Sequence, residues 1–149
     1  MPSADPVRSA PTDGDAEIVA RALKLDTFFP EFNGELCAKV FPRSGVALYE
    51  SGSLLIEQGE SGRDLFVILS GLVAVTLSMG SASAEVGSLG KDALLGEIGL
   101  LRDGTRTATA VATMTTRAFR LAYADVGYIL QNNPELAAHL QGLAKARSS

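Results

Sequence analysis

Residues 54–75 read L-L-I-E-Q-G-E-S-G-R-D-L-F-V-I-L-S-G-L-V-A-V. Three short apolar runs stand in this stretch, separated by glycines. Ser53 to Gln58 is a strand candidate, and Gly59 to Gly62 is a turn. Leu65 to Leu69 is rich in residues that suit a pleated surface, and Gly71 introduces a third run from Leu72 to Leu77. No proline interrupts them, as central strands require. The same texture extends outward. Eleven of the 15 glycines lie between Gly45 and Gly104, and all six prolines lie outside that span. Gly80 to Ser83 reads as a hairpin tip, followed by a short run from Glu85 to Leu89. Arg106 to Thr113 reads R-T-A-T-A-V-A-T. That period of two puts Thr107, Thr109, Val111 and Thr113 on one face and the three alanines on the other. Thr116 to Leu121 is the last strand candidate.

The flanks are helical. Ile18, Val19, Ala22, Leu23 and Leu25 recur at helical spacing, with Asp13 or Asp15 able to cap. Asn33 to Phe41 is a second short helix, capped by Asn33, carrying the i,i+4 pair Glu35 and Lys39, and ended by Pro42. Asn133-Pro134-Glu135 is a strong helix start, followed by Leu136, Leu140 and Leu143 on one face. Residues 1–13, rich in Pro, Ser, Ala and Asp, read as a mobile tail. Residues 14–149 then form one domain, with helices over about 15–41, strands over about 45–121 and C-terminal helices over about 124–147. The fold class is mainly β with flanking helices: an antiparallel β-roll or jelly roll of about eight strands.

Composition removes most alternatives. A chain of 149 residues suits one domain. The net charge is −4 and there is no basic stripe, which argues against holding nucleic acid. No apolar run reaches the roughly 20 residues that span a bilayer, and Met1 to Ala20 has no apolar core of a secretory signal. No membrane partner is expected, and the cytoplasm is the default location. A single cysteine and a single histidine exclude a disulfide framework and a multi-histidine metal centre. Cys37 reads as a small core residue and His139 as a solvated one. A phosphate-binding P-loop fails at Gly90-Lys91, where Glu85 stands at the glycine position and Asp92 replaces the hydroxyl. No Gly-x-Ser-x-Gly elbow is present. No nucleophile or metal cofactor emerges, so no enzyme is expected.

One constellation remains. Residues 96–108 read G-E-I-G-L-L-R-D-G-T-R-T-A. Gly96 and Gly99 permit close backbone approach. Glu97 to Leu101 suits one short helical turn, whose first amides form an anion site. Arg106 supplies a planar fork matched to phosphate. A carboxylate beside an anion site calls for a hydroxyl donor, such as a sugar. An amide nest, an arginine and a glutamate together describe a pocket for a phosphorylated sugar. On the residues alone the signal is weak, and a plain loop with a surface arginine and a glutamate that caps its own turn is the more ordinary reading.

The motif G-E-I-G-L-L followed by R-T-A resembles the phosphate-binding cassette of cyclic-nucleotide-binding domains, of the catabolite-activator, kinase-regulatory-subunit and gated-channel type. Leu54 to Val75 resembles the first half of that family's β-roll, and the likeness covers roughly residues 25–147. It implies that Arg106 pairs with the cyclic phosphate and that Glu97 accepts the ribose 2′-OH. The backbone of Gly96, Glu97, Ile98, Gly99, Thr107 and Ala108 would complete the cradle. Val75 and Val86 would be apolar walls, with Gly87 near the ribose or base. Leu140, Leu143 and Arg147 would lie on a helix that covers the base as a lid. The sequence departs from the pattern at Leu95, where many members carry an aromatic, and in a short spacer between Leu101 and Arg106.

The resemblance implies a receptor rather than an enzyme, with no cofactor and cAMP as ligand. The Thr107 hydroxyl keeps cGMP open, and a domain of the same fold that binds no nucleotide is the further alternative. The last helix ends close to Ser149, so a stand-alone receptor is expected, signalling through its C-terminal helices to an effector protein supplied in trans.

Overall fold

The computed structural model describes residues 8–96 and 105–148, without the side chains of residue 130 and of residues 144–148. Its elements are β1 (Arg8–Ser9), α1 (Asp13–Ala22), α2 (Gly34–Val40), β2 (Gly45–Tyr49), β3 (Leu54–Ile56), β4 (Leu65–Ser70), β5 (Val73–Met79), β6 (Ala82–Leu89), β7 (Leu94–Leu95), β8 (Thr109–Ala112), β9 (Thr116–Leu121), α3 (Tyr123–Asn132) and α4 (Pro134–Ser148). The strands form two antiparallel sheets, ordered β1-β2-β9-β4-β7 and β3-β8-β5-β6. This is the antiparallel roll with flanking helices that the sequence implies.

Side-chain alternation explains the layering. In β4, Leu65, Val67 and Leu69 join a core with Val19, Phe41, Ile129 and Leu136 of the helical flanks. Phe66 and Ile68 join a second core with Val73, Ala110 and Ala112 of the other sheet. The first sheet is therefore covered on both faces, by helices on one and by the second sheet on the other. A strand buried on both faces must read as a continuous apolar run, which is why Leu65–Leu69 has no polar residue.

Several helix ends follow local chemistry. The Asn33 side chain accepts from the Leu36 amide at 2.8 Å, and Asn133 accepts from that of Leu136 at 3.2 Å. The Glu35–Lys39 pair forms at 3.3 Å on the surface. Other expectations need correction. Arg8 to Asp13 is not a mobile tail: β1 pairs with β2, and α1 starts at Asp13. Its cap is Thr12, not Asp13 or Asp15. Thr12 and Asp15 form a reciprocal capping box, with Thr12 Oγ1 accepting from the Asp15 amide at 3.1 Å and Asp15 Oδ2 from the Thr12 amide at 3.0 Å. Residues 1–7 lie outside the described residues. His139 is half-buried rather than solvated. Its Nε2 sits 2.8 Å from the Leu23 carbonyl and its ring lies 5.1 Å from that of Phe28.

Candidate functional site

Arg106 does not begin a strand. The alternation from residue 106 predicts one, yet β8 starts only at Thr109. The reason is that the Arg106 backbone is clipped to the turn after β3. Its amide donates to the Glu60 carbonyl and its carbonyl accepts from the Gly59 amide, both at 2.8 Å. Ser61 and Thr105 form an isolated bridge beside this clip. The side chain is thereby fixed at the end of the roll, with only 7% of the residue exposed.

Two main-chain carbonyls orient the guanidinium. Nη2 donates to the Asp64 carbonyl at 3.0 Å and Nη1 to the Gly96 carbonyl at 3.4 Å. Glycines stand close on both sides. A Cβ on Gly62 would lie 3.0 Å from Arg106 Nη2, and one on Gly96 2.9 Å from Nη1. Gly96 also holds a φ of +90°, where a side chain would be strained. Phe66 lies below, with its ring centroid 6.0 Å from the Arg106 Cζ.

A second arginine faces the same ring. In β9, Ala118 points into the second core and Phe119 into the first. The register therefore turns Arg117 toward the helices and Arg120 toward the inside of the roll. Arg120 Cζ lies 5.6 Å from the Phe66 centroid. Its Nε donates to Asp64 Oδ2 at 2.7 Å. Sequence reading missed Asp64, Gly62 and Arg120. The legible signal was a charge at an inward register position of a strand, and an acid in a glycine turn just before a buried strand.

The other expected residues are distributed as follows. Thr107 is exposed and Ala108 half-buried just after Arg106. Val75 is half-buried and pairs with Gly87 on one side and Ala110 on the other. A Cβ on Gly87 would meet nothing within 4 Å. Val86 is the extra residue of a bulge, since Val75 pairs with Gly87 and Thr76 with Glu85. It is 59% exposed, so any wall it forms is open to solvent. Glu97, Ile98 and Gly99 lie outside the described residues. Leu140 is not placed as a lid here: it is buried in the first core, and Leu143 packs on that core. The apolar stripe of α4 is consumed by the helical layer. Arg147 falls within α4, beyond the side chains described.

The one cysteine is buried in the first core. Burial, with a contribution from Asp15, pushes the Cys37 thiol up to about 12, so it carries no thiolate near neutrality. Among the described residues no group of three or more His, Cys, Asp or Glu could hold a metal ion. Among them, too, no helix is long and apolar enough to cross a membrane.

Comparison with known proteins is consistent in direction. Residues 47–133 match the cyclic nucleotide-binding domain family. The chain is 32% identical over 101 residues to the cyclic AMP receptor protein of Thermus thermophilus, covering 67% of this chain and 47% of that protein. It spans less than half the length of the curated relatives it matches. A cyclic nucleotide-binding domain from Methylobacillus flagellatus superposes with a TM-score of 0.76 at 23% identity, covering 96% of this chain and 83% of that one. The regulatory domain of Toxoplasma gondii PKA, crystallised with cAMP, gives a TM-score of 0.69 at 18% identity, covering 89% of this chain and 48% of that one.

Proposed function

The chain belongs to the cyclic nucleotide-binding domain family, and from that membership we propose that it is a receptor for cAMP. The observation that carries the proposal is the setting of Arg106. A long, flexible side chain is held almost buried at the end of the roll, between two glycines, by carbonyls on its two terminal nitrogens. Ordering such a side chain costs rotamer entropy. A planar fork kept in one orientation suits a phosphate, which it can meet with two hydrogen bonds at once.

In this reading Arg106 binds the cyclic phosphate and Glu97 accepts the ribose 2′-OH. Amides from Gly96 to Gly99 and at Thr107 and Ala108 complete the cradle. Val75 and Gly87 face the sugar and base, with Val86 at the open edge. The preference for cAMP draws on the relatives, one a cyclic AMP receptor protein and one crystallised with cAMP. The exposed Thr107 hydroxyl favours the second reading, cGMP, through a hydrogen bond to the guanine amino group. The domain acts as a cytoplasmic receptor rather than an enzyme. Ligand binding shifts the population of arrangements of α3 and α4, including one in which Leu143 and Arg147 approach the base, and a partner protein reads that shift.

Titration calorimetry with both nucleotides tests this. Binding of cAMP tighter than of cGMP is expected, and Arg106→Ala should cost roughly 2–5 kcal/mol, the range for removing one partner of a desolvated charge pair. Binding unchanged by that substitution would remove the phosphate assignment.

A further inference from the structure

The four edges of the two sheets are not alike. β1, β3 and β7 close their edges with strands of two or three residues, and strands so short offer little for another chain to pair with. β6 is eight residues long, with β5 as its one sheet neighbour among the described residues. Natural edges are commonly guarded by lysine or proline. β6 has neither, and Glu85 is its one charge. Ala82 to Val86 are all exposed.

The hairpin tip shows which backbone groups of this edge point outward. Ser78 lies opposite Ser83. The Ser78 amide donates to Gln58 Oε1 at 2.8 Å, and its carbonyl accepts from Gln58 Nε2 at 3.3 Å. Both groups therefore point away from β6. The Ser78–Ser83 pair is then of the kind that exchanges no hydrogen bonds, so the amide and carbonyl of Ser83 point away from β5. By the same alternation those of Glu85 do so too. On the β5 side, pairing with β8 reaches no further than Thr76 opposite Thr109, and the Gln58 side chain continues it at Ser78. The β6 side has no equivalent among the described residues.

Side chains at the tip alternate as well. Leu77, Met79, Ala82 and Ala84 share the face on which Val73 enters the second core, while Ser78, Ser83 and Glu85 share the other. No charged residue occurs between Asp64 and Glu85.

We propose that the outer half of β6 is a docking edge for the same strand of a second copy of this chain. An antiparallel pair about Ser83 is its own complement under a twofold axis. Ser83 faces Ser83, Ala82 meets Ala84, and Glu85 lies opposite Ser81 instead of a second carboxylate. The apolar face continues across the join, because Leu77 and Ala84 of one copy line up with Ala82 and Met79 of the other. Met79, 57% exposed in the single chain, can lie over the small side chains beyond the axis. Charge favours a second copy at this place: each chain carries a net −4, and the neutral tip lets two of them approach. A strip of a few residues falls below the roughly 1,200–2,000 Å² of stable interfaces, so the dimer should form and dissociate with concentration.

Sedimentation of the full, ligand-free chain from micromolar to millimolar concentration tests this. Wild type should pass from monomer to dimer. Ser83→Lys sets two ammonium groups against each other at the axis and removes no bond within its own hairpin, so it should weaken the dimer tenfold or more. Ser83→Glu should do the same. An equal mixture of the two variants should recover a dimer at least as tight as that of wild type, which misfolding of either would prevent. In wild type, amide exchange at Ser83 and Glu85 should slow several-fold as concentration rises, while that of Ala84, already bonded to β5, should not change. A wild type that stays monomeric throughout overturns the proposal and leaves the β6 edge to a strand of a different protein. A dimer that Ser83→Lys leaves intact also overturns it, as does a mixture of the two variants that stays monomeric.

Discussion

The two cores of this domain are built from different material. The one between the helices and the first sheet holds Phe32, Phe41 and Phe119 together with large aliphatics, and only two of its 19 buried residues are alanine. The one between the sheets has nine buried residues, four of them alanine: Ala47, Ala110, Ala112 and Ala118. Buried area sets hydrophobic stabilisation, so the first core carries most of the folding free energy. Small inward side chains line the second, on the sheet face where Phe66 meets Arg106 and Arg120. On the reading proposed above, stability lies on one face of the first sheet and ligand chemistry on the other.

Phe119→Ala should break the first side of that division. The ring is buried and meets Phe41 edge to face, with centroids 6.0 Å apart. Removing it should cost about 3–5 kcal/mol of unfolding free energy, measured by denaturant titration. The protein that remains folded should bind nucleotide as before, because Phe119 and Phe66 lie on opposite faces of the sheet. A matching loss of affinity would mean that the two cores are not separable.

Ala110→Leu probes the other side. Ala110 is fully buried and pairs with Val75. Enlarging it should cost roughly 1–3 kcal/mol of stability by overpacking. Its effect on cAMP binding should be the larger finding, a loss of tenfold or more by calorimetry. If affinity holds, the alanines serve sheet packing and not the ligand.

The same contrast explains what the sequence revealed. Strands of the roll announced themselves through glycine turns and apolar runs, and β9 spans the same Thr116–Leu121 that the pattern marks. Caps built from neighbouring residues, at Asn33 and Asn133, were equally legible because their partners are three residues away. What stayed hidden depends on distant partners. β1 is two residues long and exists through its pairing with β2. The start of α3 is fastened by Asp64, by Ser44, whose Oγ accepts from the Ala122 amide at 2.8 Å, and by Asp125, which accepts from the Arg43 amide. No spacing rule reaches across such separations. Arg106 was visible as a residue type, whereas the clip that delays the start of β8 to Thr109 was not.

The smallest expected effect lies where the N-terminal segment meets the first sheet. Arg117, turned toward the helices by the register of β9, donates to both oxygens of Asp15 at 3.1 and 2.9 Å. Burial raises the Asp15 carboxyl, but the bonds from Arg117 and Thr12 and the Arg117 charge outweigh it and hold the group below its ordinary 3.8. A folded carboxyl that is more acidic than the unfolded one stabilises the fold above the unfolded pKa, and that contribution drains away as pH falls through the folded value. Arg117→Met should therefore cost about 1–2 kcal/mol near neutral pH. Below the ordinary carboxylate pKa Asp15 is protonated in the unfolded chain first, and the cost should shrink as pH falls on through the lowered folded value. Unfolding free energies of wild type and variant across that range decide the matter. A difference that stays constant down to acid pH would show that Arg117 contributes packing of its stem rather than its charge, and that the capping box of α1 stands without help from the sheet.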